Sequence, residues 1–349
     1  MNHKHLLLIR FSALGDILMT VPIVEALARQ YPNLHITMVS RPFVGSIFKR
    51  LPQNVQFVGV NLAQYKGLGG LERLYRELRA LEPDAVCDLH DVLRTKYLRL
   101  RFWMAGIPVS HIVKDRRARK AFLHAAHKVQ QETSFERYAK AIARLLPFKQ
   151  PTPPCQLASQ ATHRGGIGIA PFAAHQGKIY PLQQMEHVVS LLSAQGTEVY
   201  LFGAGEKEQS IMEQWDKKYE HAHSMVGRLG NMAGELDWIA GLDAMLTMDS
   251  GNMHLASLTC TPVLSIWGAT HPLGGFLGWG QTIDRCIQKD YPCRPCSIFG
   301  NKPCRLGDFR CLHDITPDEI VNRLNEVVRT RRSSNVHWNK PTRTQKKVH

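Results

Sequence analysis

The sequence predicts an α/β protein of two Rossmann-like domains facing each other across a cleft. Two observations carry this. Short, continuously apolar runs alternate with amphipathic stretches, the pattern of parallel strands covered on both faces by crossover helices. The pattern then stops in a proline-rich segment and starts again.

The first half opens on the apolar run Leu6 to Arg10, a buried strand, followed by a Ser-Ala-Leu-Gly-Asp loop. A helix is expected from Ile17 to Gln30, with Pro22 in its first turns and Val21, Val24 and Leu27 at helical spacing. His35 to Val39 and Val55 to Val60 are further strands, Leu71 to Leu81 an amphipathic helix, and Ala85 to Leu89 another strand. Pro147, Pro151, Pro153 and Pro154 mark a linker, assigned to 151–163, between domains at 1–150 and 164–330. The second half repeats the alternation. Gly166 to Ala170, Glu198 to Phe202, Ala244 to Thr247 and Pro262 to Trp267 read as strands. Gln183 to Gln195, a stretch from Glu206, and Pro317 to Arg329 read as helices. Residues 331–349 are expected to form a basic, disordered tail.

Apolar residues make up 44% of the 349 and charged residues 21%, which excludes a disordered chain and suffices for two cores. No apolar run is long enough to span a bilayer. Residues Met1 to Arg10 lack the length and cleavage site of a signal peptide, so a cytoplasmic protein with reduced cysteines is expected. A net charge of +15 favours an acidic partner: nucleic acid, anionic lipid or an acidic substrate. The charge collects at Lys114, Arg116, Arg117, Arg119 and Lys120, and again in the tail at Arg329, Arg331, Arg332, Lys340, Arg343, Lys346 and Lys347.

Three loops bear candidate chemistry, because open α/β sheets bind ligands at the carboxyl ends of their strands. The first, Ser12-Ala13-Leu14-Gly15-Asp16, puts a glycine and a carboxylate at a strand-to-helix turn. Asp16 either caps the helix or points into the cleft as a general base. The loop lacks Gly-x-Gly-x-x-Gly, which argues against a dinucleotide enzyme. The second runs from Pro171 to Pro181 and contains Lys178, which suits a phosphate. The third, Asp249-Ser250-Gly251-Asn252-Met253-His254, crowns an apolar helix, where free amides and the dipole favour a diphosphate and Asp249 could hold a ribose hydroxyl. The strand end Asp88-Leu89-His90 is a weaker candidate for touching a ligand in the first half.

Taken together these segments resemble glycosyltransferase family 9, the heptosyltransferases of lipopolysaccharide assembly, over nearly the whole chain to about Val328. Ser12 to Asp16 with Pro22 match the opening loop, with one residue of slack. Lys178 ahead of Tyr180-Pro181, the turn Gly203 to Gly205 with Glu206 (or Glu208), and Asp249, Ser250, Gly251, His254, Leu255 and Ala256 match later motifs. Trp267 to Pro272 resembles the last one, with His271 replacing an acid, and the loop Pro171 to Ala174 also departs from the common pattern. The resemblance implies a GT-B fold and an inverting, metal-independent transfer without a cofactor. It implies an acceptor in the first domain and a nucleotide-sugar donor, ADP-heptose, in the second. Asp16 would be the catalytic base and Lys178 would steady the departing diphosphate. Gly205, Glu206, Asp249, Ser250, Gly251 and His254 would bind the donor. Ser12, Gly15, Arg116, Arg117 and Lys120 are expected to bind an anionic glycolipid acceptor, with the basic tail resting on the inner membrane's cytoplasmic face.

Cys293, Cys296, Cys304 and Cys311 form the one set that could hold a metal. The first pair is spaced for tetrahedral zinc, the second more widely than zinc ribbons prefer, and none is expected to be bound. A zinc-structured nucleic-acid binder would share the charge and the cysteine knuckle, but the basic residues do not interleave with aromatics along one stripe, so no nucleic-acid partner is expected. An epimerase of the same fold would share the donor site without needing the basic surface.

Overall fold

The structure is a computed structural model that describes residues 3–153, 157, 162–259 and 261–338. In the first half the elements are β1 (His5–Ile9), α1 (Leu14–Leu18), α2 (Val21–Gln30), β2 (His35–Ser40), α3 (Gly45–Phe48) and β3 (Val55–Gly59). They continue with α4 (Gly67–Arg79), β4 (Ala85–Asp88), α5 (Leu93–Met104), β5 (Val109–His111), α6 (Arg116–His124) and α7 (Ser134–Ala143). The second half has β6 (Ile167–Ala170), α8 (Leu182–Ala194), β7 (Val199–Leu201), α9 (Glu206–Lys218), β8 (Ala222–Ser224) and α10 (Met232–Ala240). It ends with β9 (Ala244–Met248), α11 (Gly251–Ser257), β10 (Val263–Ile266), β11 (Cys286–Ile287), α12 (Arg310–His313) and α13 (Pro317–Trp338).

Both sheets are parallel. The first has the order β3-β2-β1-β4-β5, and the second, taken from its other edge, β8-β7-β6-β9-β10-β11. Each therefore reverses direction once, between β1 and β4 and between β6 and β9. Ligands of such sheets bind at that reversal, beyond the strands' carboxyl ends. Register fixes which residues arrive there: Ile9 pairs with Asp88, and Ala170 with Thr247. Of the residues after these strands, Arg10, Ser12 and His90 accordingly line the cleft from the first half, and Ala174, His175, Lys178 and Asp249 from the second.

The strands are apolar throughout because both faces are covered. Leu7, Ile9 and Val86 pack under α4 and α5, while Leu6 and Leu8 pack on the opposite side. That second layer is continuous with residues of α10 and α11, so one apolar cluster crosses from half to half. Two close approaches seat the crossing. A side-chain carbon on Gly15 would lie 2.6 Å from His254 Cδ2, and one on Gly251 would lie 2.7 Å from Leu14 Cδ2. Arg50 reaches across to Asp237 with Nη1 2.5 Å from Oδ1.

Two expectations need correction. The helix expected from Ile17 to Gln30 is two helices, broken at Met19 and Thr20. The Pro22 ring would clash with the carbonyl of Leu18 if the first helix continued. The tail expected to be disordered from 331 is instead helical to Trp338, and Arg332 makes a 2.6 Å ion pair with the buried carboxylate of Asp243. Residues 339–349, with Lys340, Arg343, Lys346 and Lys347, lie outside the described residues.

Candidate active site

At the end of β1, Arg10 is buried, donating to the carbonyl of Leu89 at 2.5 Å and pairing with Asp16 Oδ2 at 2.6 Å. The same Oδ2 accepts from the Ala13 amide at 3.1 Å. The two readings of Asp16 are thus not exclusive. One oxygen caps α1 and neutralises Arg10, while Oδ1 has no hydrogen-bond partner among the described residues and the side chain borders the cleft.

Two cavities meet at that carboxylate. The larger, about 700 Å³, belongs mainly to the first half, and the smaller, about 360 Å³, to the second. Asp16, Ala13, Phe276, Ile298, Phe299 and Asn301 line both.

Of the residues expected around an acceptor, Ser12, Arg116 and Lys120 line the larger cavity and Arg117 does not. Three more residues do much to define it: Arg119, read from the sequence only as part of the basic cluster, His90, a weaker candidate, and Arg137, which sequence reasoning left out. Arg119 lies over the rings of Phe276 and Phe299, 5.5 and 5.4 Å from their centroids, and has no carboxylate partner among the described residues. Burial, then the neighbouring Arg137 charge, lower its pKa to about 10. Arg137 is buried and pairs with Glu132 at 3.3 Å, leaving Nη1 without a partner. His90 accepts from or donates to Ser12 Oγ at 3.1 Å, and burial, then Arg10, push its pKa down to about 3, so it is neutral. Of the strand end Asp88-Leu89-His90, His90 alone reaches the cavity. Asp88 is consumed locally, accepting from the amides of His90 and Asp91 and pairing with Arg99.

In the smaller cavity Lys178 and Asp249 form an ion pair of 2.9 Å, and Thr270 donates to the same Asp249 oxygen at 2.8 Å. Ser250 Oγ and His254 Nδ1 are buried without partners among the described residues. Burial pushes the His254 pKa down to about 4 against the opposing pull of Asp249. Gly15 and Gly251 line this cavity too, so Gly15 stands on the side opposite to the acceptor role expected of it. Gly205 and Glu206 line neither cavity. Glu208 turns back to accept from the Ala204 amide at 2.8 Å, and Glu206 is exposed at the start of α9. His271 also lines neither; its Nδ1 accepts from the Leu273 amide at 3.2 Å and caps a short turn.

The cysteine segment reaches the site through other residues. Arg294, between Cys293 and Cys296, is buried and donates to the carbonyls of Gly268, Trp267 and Thr270 at 2.5, 3.2 and 2.9 Å. It so fixes Thr270, which holds Asp249. Phe299, Asn301 and Lys302 of the same segment enter the larger cavity. The four cysteines are free thiols around a void of about 10 Å³, and no group of three or more ligands among the described residues is arranged for a metal.

Two Rossmann-type sheets with a carboxylate at the junction of a basic cavity and a Lys-Ser-His cavity define a two-domain glycosyltransferase. A sequence profile of glycosyltransferase family 9 (heptosyltransferase) matches residues 71–303, and the chain belongs to that family. It is 26% identical to lipooligosaccharide heptosyltransferase 2 of Haemophilus influenzae, over 93% of this chain and 99% of the relative. Its fold is that of the E. coli ADP-heptose lipopolysaccharide heptosyltransferase II structure (TM-score 0.69, 20% identity, 94% of this chain and 99% of the other). The E. coli heptosyltransferase WaaC with ADP-2-deoxy-2-fluoro heptose is similar (TM-score 0.66, 16% identity, 92% and 99%). The fold expected from the sequence, GT-B with two Rossmann-like domains, is the observed one.

Proposed function

We propose that the enzyme moves heptose from ADP-heptose onto an anionic, lipid-linked core glycan of the lipopolysaccharide type, inverting the anomeric carbon without a metal. It would do so from the cytoplasmic face of the inner membrane. The observation that carries this reading is the position of Asp16, on the wall shared by a basic cavity and a cavity holding Lys178, Ser250 and His254. The acceptor would fill the first, with Ser12, Arg116, Arg119 and Lys120 around it; the donor would fill the second.

In this reading Oδ1 of Asp16 takes the proton of the acceptor hydroxyl as its oxygen attacks the anomeric carbon. The bond from that carbon to the diphosphate breaks on the opposite face, and negative charge grows on the departing oxygen. Lys178 and the Ser250 hydroxyl meet that charge already in place, in a site screened little by water. Asp249 holds Lys178 until the diphosphate does, and is then free for a ribose hydroxyl. The donor is supported by the ADP-heptose analogue in a structure of the same fold and by the family itself. The acceptor is supported by the guanidinium groups that lack carboxylate partners.

The test is heptose transfer to a deacylated core acceptor, with and without EDTA, alongside ADP binding, for the wild type and Asp16→Asn. Transfer unaffected by EDTA, and lost in a variant that still binds ADP, is expected. An Asp16→Asn enzyme that keeps its rate would reduce Asp16 to a helix cap.

A further inference from the structure

Helix α5 is apolar on two sides. Leu98 and Phe102 face the sheet and are fully buried, Phe102 in edge contact with Tyr75 at 5.1 Å. This satisfies the fold. Yet Leu93, Leu100, Trp103 and Met104 remain 86%, 51%, 64% and 63% exposed. With Lys96 they follow a three-and-four-residue spacing, so all lie on one outward stripe about 15 Å long. Four large apolar side chains on one solvent-facing side of a helix mark a contact surface.

We propose that this face of α5 rests on an anionic membrane surface and holds the mouth of the basic cavity against it. The proposal deepens the reading of a lipid-linked acceptor and rests on it. Charge selects the occupant. Arg94 flanks the apolar stripe, Lys96 lies within it and pairs with Asp91 at 3.8 Å, and Arg116, Arg117 and Lys120 on α6 are exposed. Arg117, the basic residue absent from the cavity lining, has no ion-pair partner among the described residues. Such a stripe, with a tryptophan at the level where water meets acyl chains, suits anionic lipid. A second copy of the chain would set the same cations against one another in a symmetric interface. Continuity supports the same occupant. The helix starts three residues after His90 of the cavity wall, and Lys114 Nζ donates to the Asp91 carbonyl at 2.9 Å, tying the start of α5 to the loop before α6. The exposed Val113 lies on that loop. A lipid-borne glycan entering the cavity would thus leave its acyl chains beside Leu93 and Val113. The carboxyl-terminal charge at Arg332 is already held by Asp243.

The experiment floats the full chain with vesicles of phosphatidylethanolamine and phosphatidylglycerol, and with phosphatidylcholine alone, for wild type and for the double variant Leu100→Glu, Trp103→Glu. Wild type should bind the anionic vesicles and not the neutral ones, and the variant should lose about a hundredfold in partitioning. The variant should keep its melting temperature and its rate on a deacylated, water-soluble acceptor, and lose rate on the same acceptor embedded in vesicles. A milder variant, Trp103→Phe, should retain binding and abolish tryptophan quenching by brominated lipid. Equal vesicle binding by wild type and the double variant would overturn the proposal. So would a dimer, measured by light scattering, that the double variant dissolves. Failure of transfer to either acceptor with vesicle binding intact would count against the proposed reaction and leave the surface standing.

Discussion

The two cavities that meet at Asp16 handle charge in opposite ways. On the carboxyl-terminal side the cation is compensated: Lys178 pairs with Asp249, Thr270 steadies the same oxygen, and His254 is kept neutral by burial. On the amino-terminal side the cations exceed the anions. Arg119 leans on aromatic rings instead of a carboxylate, and a buried nitrogen of Arg137 has no partner. A desolvated guanidinium without an anion is costly, which is why burial lowers the Arg119 pKa to about 10. Under the proposed reaction, the difference is what two ligands of different fates require. A site that must release an anionic product after each cycle works with a counter-ion waiting beside its lysine. A site that must select an anionic glycan gains from charge satisfied only by that glycan.

The comparison breaks most severely at the shared carboxylate. Asp16→Asn should lower transfer by about a thousandfold, within the range for loss of a general base, while leaving ADP affinity unchanged. The amide oxygen of the substituted side chain can still accept from the Ala13 amide, so the cap survives, although Arg10 loses its ion pair. A melting curve separates that structural cost from the catalytic one. On the donor side, Lys178→Ala should cost about a hundredfold in kcat, and ADP affinity should fall with it. It leaves Asp249 buried without its cation, so Lys178→Ala combined with Asp249→Asn should bind ADP better than Lys178→Ala alone. If the order of the two were reversed, the pair would not share one role.

On the acceptor side, Arg119→Ala should act on a different parameter. The acceptor KM should rise by about tenfold or more with kcat and ADP binding nearly unchanged, since a charge-assisted contact is lost only to the acceptor. An acceptor stripped of its phosphate and carboxylate groups should be used equally by wild type and variant. Equal KM values for the charged acceptor would show that Arg119 serves packing over Phe276 and Phe299 instead.

The same contrast governs what is legible in the sequence. The polar residues of the smaller cavity lie in two compact runs, Pro171 to Pro181 and Asp249 to His254, each following a strand, so local pattern suffices to pick out Lys178, Asp249, Ser250 and His254 as residues of one cavity. The larger cavity is assembled from Arg10, His90, Arg119 and Arg137 on four separate segments, plus Phe276, Asn301 and Lys302 from the other half. No local pattern ties these together; only the strand order does. The strands are legible because burial on both faces makes them uniformly apolar. Helix α5 is illegible for the same physical reason in reverse: with apolar side chains on its sheet face and its outer face, it has no clear amphipathic period. Gly15 suggests a close approach to a ligand, whereas its close neighbour is His254 of the other half. A contact between residues so distant along the chain leaves no trace in either local sequence.

That contact supplies a sharper test of how far the two halves act as one. Gly15→Ala would place a methyl group 2.6 Å from His254 Cδ2, and Gly251→Ala one 2.7 Å from Leu14 Cδ2. Each should cost about 1–3 kcal/mol of stability through overpacking, measured by urea unfolding. Because the two sit on facing helices, their effects should fall short of additive: once one methyl has spread α1 from α11, the second finds space. Full additivity would mean that the helices relax independently.

The smallest effect separates the sides by pH. His254 and His90 have folded pKa values of about 4 and about 3, both lowered first by burial. Above pH 6.5 neither state of the chain protonates them, so they contribute no pH dependence. As pH falls below 6.5 the unfolded chain takes up protons that the folded one refuses, and stability declines until the folded values are reached. Each histidine contributes a slope of up to about 1.4 kcal/mol per pH unit in that window. His254→Gln should therefore flatten the loss of stability between about pH 6.5 and 5 measured by urea unfolding, and His90→Gln should do the same. The two variants should differ in ligand response. ADP, whose diphosphate favours a protonated imidazole beside Lys178, should restore part of the wild-type stability at about pH 5 in the His90 variant but less in the His254 variant. Equal restoration by ADP would place both histidines outside the donor cavity's electrostatic reach.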